Sequence, residues 1–419
     1  MVGIQNLTHA QALLEKFIPT KKSERYTLDR MQALMAYLGN PQDTLRIVHI
    51  AGTSGKTSSS YYAAALLVEG GFQVGLSVSP HIDSITERAQ INLESLPEAL
   101  YCEELGIFLD LVQESAVHPS YFEVLVAFSY WLFARHNVEY AVMEVGLGGL
   151  LDATNVVHRE DKICIITDIG MDHTEILGST LPEIAAQKAG IIQHGNSVFM
   201  HTQAPEIMAV IDEKAKREHA TYEIIGVDEL LESSVVFLAL PLFQQRNVSL
   251  VYGALKPILI QMKPSAVDVA LHVRVPARME ERNVAGKIVV LDGSHNEQKL
   301  AALVSAMKKQ YADTSIVLLV SFGENKATSL EANLKTLHEI SNHIIVTKFS
   351  LGQDEIRSPI EPRIIYDVAD DLGFKSEIIT DPKEAFTYAL AQQENLVLVT
   401  GSFYLLNHIR PQMNISESA

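Results

Sequence analysis

At 419 residues, with 47% hydrophobic and 20% charged side chains, the chain is globular and too long for one ordinary core. Its formal net charge of −18, from 33 basic and 51 acidic residues, excludes a general nucleic-acid or anionic-membrane surface, so any phosphate it holds must sit in a local pocket. Two cysteines, Cys102 and Cys164, make no disulfide framework and no Cys-x-x-Cys pair. Met1–Thr20 lacks the apolar core of a signal peptide, and no stretch approaches the roughly 18 apolar residues that span a bilayer, so the expected compartment is the cytoplasm.

In chain order, the β-branched runs Ile47–Ile50, Val74–Val78, Tyr140–Val145, Ile163–Thr167 and Ser197–His201 read as strands, with helical patterns at Ser58–Glu69, Tyr121–Arg135 and Pro182–Ala189 between them. Spacings this long rule out hairpins and imply a parallel sheet covered on both faces, with ligands at the C-terminal strand ends. Between Tyr222 and Val267 the strand-like runs Ser234–Leu238 and Val248–Tyr252 have no clean period and take no assignment. After Val273–Val284, which contains Pro276 and the charges Arg278, Glu280, Glu281 and Arg282, a second series begins. Lys287–Leu291, Ser315–Val320, His343–Thr347 and Leu396–Thr400 read as its strands, before a polar tail at Asn414–Ala419. A domain boundary is expected near 276–286.

Gly52-Thr53-Ser54-Gly55-Lys56-Thr57 lies between the first strand and its helix, where a phosphate-binding loop belongs. Its glycines permit a tight turn that points successive N–H groups at one anion, the helix start adds partial positive charge, and Lys56 adds a full one. Thr57 can offer a hydroxyl to Mg²⁺. The loop is a short version of the usual pattern, with Ile50 where a first glycine would stand.

Glu144 ends a buried-looking strand and is followed by Gly146-Leu147-Gly148-Gly149, a spacing that makes no dinucleotide fingerprint. A carboxylate there either ligates Mg²⁺ beside nucleotide phosphates or caps the next turn. Asp172-His173 follows another strand, and the histidine reads as a metal ligand or proton carrier, or as a hydrogen-bonded structural group. Lys188 by itself reads as a solvated helix residue. Asp292-Gly-Ser-His295-Asn296 follows the first strand of the second series and is equally consistent with a ligand contact and with an Asx turn leading into a helix cap.

Taken in order, these segments resemble the folylpolyglutamate synthase/dihydrofolate synthase family of the Mur ligase superfamily. The resemblance also rests on Ser79-Pro-His-Ile82, Thr86-Glu-Arg88, Tyr121-Phe-Glu123, Leu151-Asp-Ala-Thr-Asn155, Lys188-Ala-Gly-Ile191, Gln245-Arg-Asn247, Pro276-Ala-Arg278 and Thr400-Gly-Ser402, and it spans positions 46 to 404. It implies an α/β protein with an N-terminal P-loop ATPase-like domain and mostly parallel sheet (1–275), a linker (276–286) and a smaller Rossmann-like α/β domain (287–419) that ligates glutamate. The implied reaction is ATP-dependent amide formation between L-glutamate and a folate, or dihydropteroate, through an acyl phosphate, in a monomer without nucleic-acid or membrane partners.

By resemblance Gly52, Thr53, Ser54, Gly55, Lys56, Thr57, Asn247, Arg278 and Asp292 bind ATP. Ser79, Glu144, His173 and Thr57 hold Mg²⁺, and Phe122, Asp152, Ala153 and Ser402 contact substrate. Lys56, His173, Lys188 and His295 are the implied catalytic residues, Lys188 as a lysine carbamylated by CO₂. Ser54, Thr57 and Leu150 depart from residues frequent in the folate branch. A Mur-type ligase acting on another carboxylate and a nucleotide-binding regulatory module without ligase activity are the alternatives.

Overall fold

Every run read as a strand is one in the computed structural model, which describes residues 3–18, 27–349 and 358–413. The tail Asn414–Ala419 and parts of Met1–Thr20 lie outside these described residues. The chain divides into two compact units, one through Val273 and one from Arg274.

The first unit holds β1 (Arg46–Ala51), β2 (Val74–Ser77), β3 (Gln90–Ile91), β4 (Glu94–Ser95), β5 (Tyr140–Glu144), β6 (Ile163–Ile166), β7 (Ser197–Met200) and β8 (Thr221–Ile224), in the order β4-β3-β2-β5-β1-β6-β7-β8. All pairings are parallel except those of β3, which is antiparallel to both β2 and β4. β1 runs down the middle with five consecutive buried residues, because a central parallel strand is covered on both faces and therefore carries no apolar-polar alternation.

Helix Lys56–Glu69 leaves β1 through the glycine loop. Helices Tyr121–Arg135 and Leu181–Ala189 each start with a reciprocal capping box, Ser120 with Glu123 and Thr180 with Glu183, which satisfies their first free N–H groups. Phe128 and Phe133 of the former pack with Met143 of β5 in one apolar cluster, while Ile184 and Ile191 pack with Cys164 and Ile166 of β6 in another.

The unassigned stretch from 222 to 267 is mainly helical. Val248–Tyr252 belongs to helix Leu242–Leu255 and Ser234–Leu238 leads into helix Val235–Ala239, so neither strand-like run is a strand. Helix Leu242–Leu255 lies against helix Lys56–Glu69 and against β6 and β7. Val248, Leu250, Val251 and Tyr252 are all buried, and burial on several faces removes the 3.6-residue pattern that would have marked a helix.

The second unit holds β9 (Glu280–Val284), β10 (Lys287–Leu291), β11 (Ile316–Val320), β12 (His343–Val346), β13 (Lys375–Ile378) and β14 (Leu396–Thr400), ordered β13-β12-β11-β14-β10-β9. Segment 276–286, expected as a linker, contains a strand. β9 pairs antiparallel with β10 across Ala285 and Gly286, both at positive φ as a two-residue hairpin turn requires. Its charged and polar residues disguised it, since an edge strand keeps one face in water. Among the described residues no helix is long and apolar enough to cross a membrane.

A Cβ on Gly75 of β2 would stand 2.6 Å from the Phe133 ring. Gly75→Val is expected to destabilise the protein by about 1–3 kcal/mol, read as a lower urea midpoint, because a filled core has no room for added methyls.

Candidate functional site

The glycine loop is sewn to the end of β6. Thr53 and Ser54 donate their backbone N–H groups to the Asp168 carbonyl at 2.8 and 3.1 Å, and the Thr53 hydroxyl is 3.0 Å from the Gly170 carbonyl. Two positions admit only glycine. A Cβ on Gly52 would lie 1.7 Å from Thr167 Oγ1, and Gly55, at φ +93°, would place one 2.4 Å from Asn247 Oδ1. Asn247 is thus brought over the loop by helix Leu242–Leu255.

Two lysines converge beneath the turn. Lys56 Nζ and Lys188 Nζ donate to the same Gly52 carbonyl, at 3.2 and 2.9 Å. Lys188 is 3% exposed, so it is a buried lysine and not the solvated helix residue that its neighbours suggest. Lys56 and the opening amides of helix Lys56–Glu69 concentrate positive potential at one point of an acidic protein.

Glu144 faces that point. Parallel pairing sets it opposite Ile50, just before the loop. The carboxylate is buried and accepts from the Thr57 hydroxyl at 2.7 Å and the Ser79 N–H at 3.0 Å, so three of the four expected metal-site residues meet. His173 stands beyond β6 at φ +51°, its ring nitrogens 4.0 Å from the carboxylates of Asp172 and Glu175. Among the described residues no three His, Cys, Asp or Glu side chains are grouped to cage a metal ion. A hydroxyl and one carboxylate next to a phosphate loop nevertheless fit Mg²⁺, which takes few protein ligands and keeps water and phosphate oxygens.

Beside Glu144, Ser77, Ser79, Arg88 and Phe122 line a small cavity. Phe122 packs so closely on Gly146 that a Cβ there would lie 2.4 Å from its ring. Buried Arg88 donates from Nε to His81 Nδ1 at 3.1 Å, and burial, with the Arg88 charge, holds His81 well below its usual pKa. Asp152 turns inward: Leu147 N–H binds one oxygen at 2.8 Å, while Thr154 N–H and hydroxyl bind the other at 3.0 and 2.6 Å. Burial raises its pKa, opposed by those hydrogen bonds and by Lys56. Ala153 is buried between them.

The second unit carries its own cluster at the end of β10. Asp292 accepts from Met279 and Ser294 N–H groups, each at 2.9 Å, so the carboxylate shapes the turn that the sequence allowed as one of two readings. Arg278 lies over the Phe403 ring at 4.5 Å. His295 Nδ1 is 2.8 Å from the Gly293 carbonyl, which accepts, so its Nε2 faces Lys299 Nζ as a lone pair at 3.2 Å. Ser402, beside Phe403, accepts from Tyr404 N–H at 3.1 Å.

Three participants escaped the sequence reading. Arg246 grips Asp168 through Nε and Nη2 at 2.8 to 3.0 Å, tying the Asn247 helix to the carbonyl that holds the glycine loop. In the sequence Arg246 sits inside Gln245-Arg-Asn247 with no role assigned to it, and Asp168 is only a charge just past a strand. The third, His49, is wholly buried in β1 and binds Thr154 Oγ1 at 2.8 Å, and a lone imidazole in an apolar strand was its mark.

Two family models match the chain: the Mur ligase middle domain over residues 50–234 and the Mur ligase, glutamate ligase domain over 277–403. The chain is 30% identical to the dihydrofolate synthase/folylpolyglutamate synthase of Bacillus subtilis, covering 92% of this chain and 94% of that protein. It is also 30% identical to the dihydrofolate synthetase of Saccharomyces cerevisiae, over 91% and 96%. Among solved structures, Mycobacterium tuberculosis folylpolyglutamate synthase complexed with ADP superposes with a TM-score of 0.82 at 25% identity, over 97% of this chain and 98% of that one.

Gly55→Ala forces a side chain into both a left-handed backbone and Asn247, so MgATP affinity by calorimetry is expected to fall about tenfold or more while the circular dichroism spectrum is kept. A separate expectation concerns pH. Burial holds His49 and His81 neutral well below 6.5, whereas in the unfolded chain they take a proton near that value. The unfolded state therefore binds more protons as pH falls below about 6.5, and stability complete above that value declines toward the depressed folded values. The urea midpoint should drop between pH 7.5 and 5.5, and less steeply in His49→Gln.

Proposed function

We propose, for a chain that belongs to the folylpolyglutamate synthase/dihydrofolate synthase family of Mur ligases, that it is an ATP-dependent ligase joining L-glutamate to folates and also to dihydropteroate. The observation that carries this reading is the buried Glu144 carboxylate held against Thr57 beneath a glycine loop whose Gly52 carbonyl gathers two lysines.

Amide formation needs a better leaving group than a carboxylate oxygen offers. Transfer of the γ-phosphoryl group to the acceptor acid breaks the terminal P–O bond of ATP and forms an acyl phosphate. The amine of glutamate then attacks the acyl carbon, phosphate leaves with the bonding pair, and one proton is lost from nitrogen. Such a transfer is mostly a matter of position and charge. The loop Gly52–Thr57, with its amides from Gly55 to Thr57 and the Lys56 ammonium, would cradle the phosphates, while the Thr53 and Ser54 amides hold the loop to Asp168; Asn247, Arg278 and Asp292 would contact the nucleotide. Thr57, Ser79, Glu144 and His173 would hold Mg²⁺, which supplies charge neutralisation at the transferring group.

Lys188 would become a carbamate that adds a carboxylate near the metal. Phe122 and the loop bearing Asp152 and Ala153 would receive the pteroyl end of the acceptor, while His295 and Ser402 would serve glutamate or nucleotide. The two parts of the chain act as an ATP-binding domain and a glutamate-ligase domain, in a cytoplasmic monomer.

Incubation with MgATP, L-glutamate and either dihydropteroate or tetrahydrofolate is expected to yield products heavier by whole glutamyl units, with equal release of ADP and phosphate. Mass spectrometry of the products checks it. No mass gain on any pteroyl acid, together with ADP release on another carboxylate, would assign the chain to a different Mur-type ligation.

A further inference from the structure

His49 lies outside the groups that would touch substrate, yet its hydrogen bonding is fully directed. The Thr154 hydroxyl has one proton, and the Asp152 carboxylate 2.6 Å away can only accept it. Thr154 Oγ1 must therefore accept from His49 Nε2–H at 2.8 Å, which assigns the tautomer, and burial keeps the ring neutral. The far end of this chain is the second Asp152 oxygen, which holds Leu147 N–H at 2.8 Å. Tyr130 clamps the same segment by donating its hydroxyl to the Thr154 carbonyl at 2.8 Å. The remaining His49 ring nitrogen is buried without a hydrogen-bond partner, so the ring acts through Nε2 alone.

From this geometry we infer that His49 is a positioning residue for the acid acceptor: through Thr154 and Asp152 it sets the conformation of loop 147–154, next to Gly146 and the Phe122 ring. This inference rests on the ligase reading above. Its location is economical, since the strand that bears His49 continues three residues later into Gly52, so one strand orders the nucleotide loop at its end and the acceptor loop through a side chain. The consequence is a separable effect. Loss of the Nε2 donor would loosen the acceptor loop while the bonds from Thr53 and Ser54 to Asp168 remain in place.

The test is steady-state kinetics of full-length His49→Met, His49→Gln and His49→Asn with MgATP, glutamate and dihydropteroate or tetrahydrofolate. Gln places an amide donor near the Nε2 position, Asn only near Nδ1, and Met offers no donor. We expect KM for the pteroyl acid to rise about tenfold in Met and Asn, with recovery to within about threefold in Gln, and KM for ATP to stay within about twofold in all three. If His49→Met does not accumulate as a folded protein, Thr154→Val against Thr154→Ser reads the next link, and only Val should raise the pteroyl KM. Unchanged pteroyl KM, equal rises for both substrates, or recovery by Asn and not Gln would overturn the inference. A wild-type enzyme that turns over no pteroyl acid would instead overturn the ligase reading.

Discussion

A single buried carboxylate organises the first unit. Glu144 ends β5 with the Thr57 hydroxyl on one oxygen and the Ser79 N–H on the other, so it joins the helix after β1 to the segment after β2. Removing a carboxylate from water is costly unless its oxygens are bonded, and here both are. The arrangement depends on parallel register, because pairing Ile50 with Glu144 brings the two strand ends to one level. A slip of one residue would turn the side chain to the other face of the sheet.

The neighbouring loop solves an opposite electrostatic problem. A chain with a net charge of −18 has no global attraction for a triphosphate, so positive potential must be assembled locally. Lys56 and the start of a helix supply it, and the Gly52 carbonyl accepts hydrogen bonds from both Lys56 and Lys188 inside the protein. Asp168 fixes the loop with its backbone carbonyl while Arg246 grips its carboxylate, so the loop's geometry is held by residues outside it. His49, Thr154 and Asp152 form a comparable chain of hydrogen bonds that fixes the loop after β5.

Much of this was legible along the chain. Runs such as Tyr140–Glu144 and Leu396–Thr400 are uniformly apolar because central parallel strands are buried on both faces, and the glycine loop announces itself by residue type and place. Elements without such a mark were opaque. β9 is a run of charged and polar residues that alternate only in exposure, and helix Leu242–Leu255 is buried on too many sides, polar residues included, to show a period. Lys188 looked solvated, and only its neighbours in space make it a buried partner of Gly52.

By itself the sequence determined the central buried strands of both units, the phosphate loop and the kinship of the motifs, because backbone propensity, apolar pattern and turn chemistry act over a few adjacent residues. Tertiary structure decided which side chains meet: Glu144 with Thr57 across 87 positions, Lys188 with Gly52 across 136, and His49 with Thr154 across 105. Those meetings follow from strand order and register, β5 beside β1 beside β6, which long-range burial selects and no local segment records.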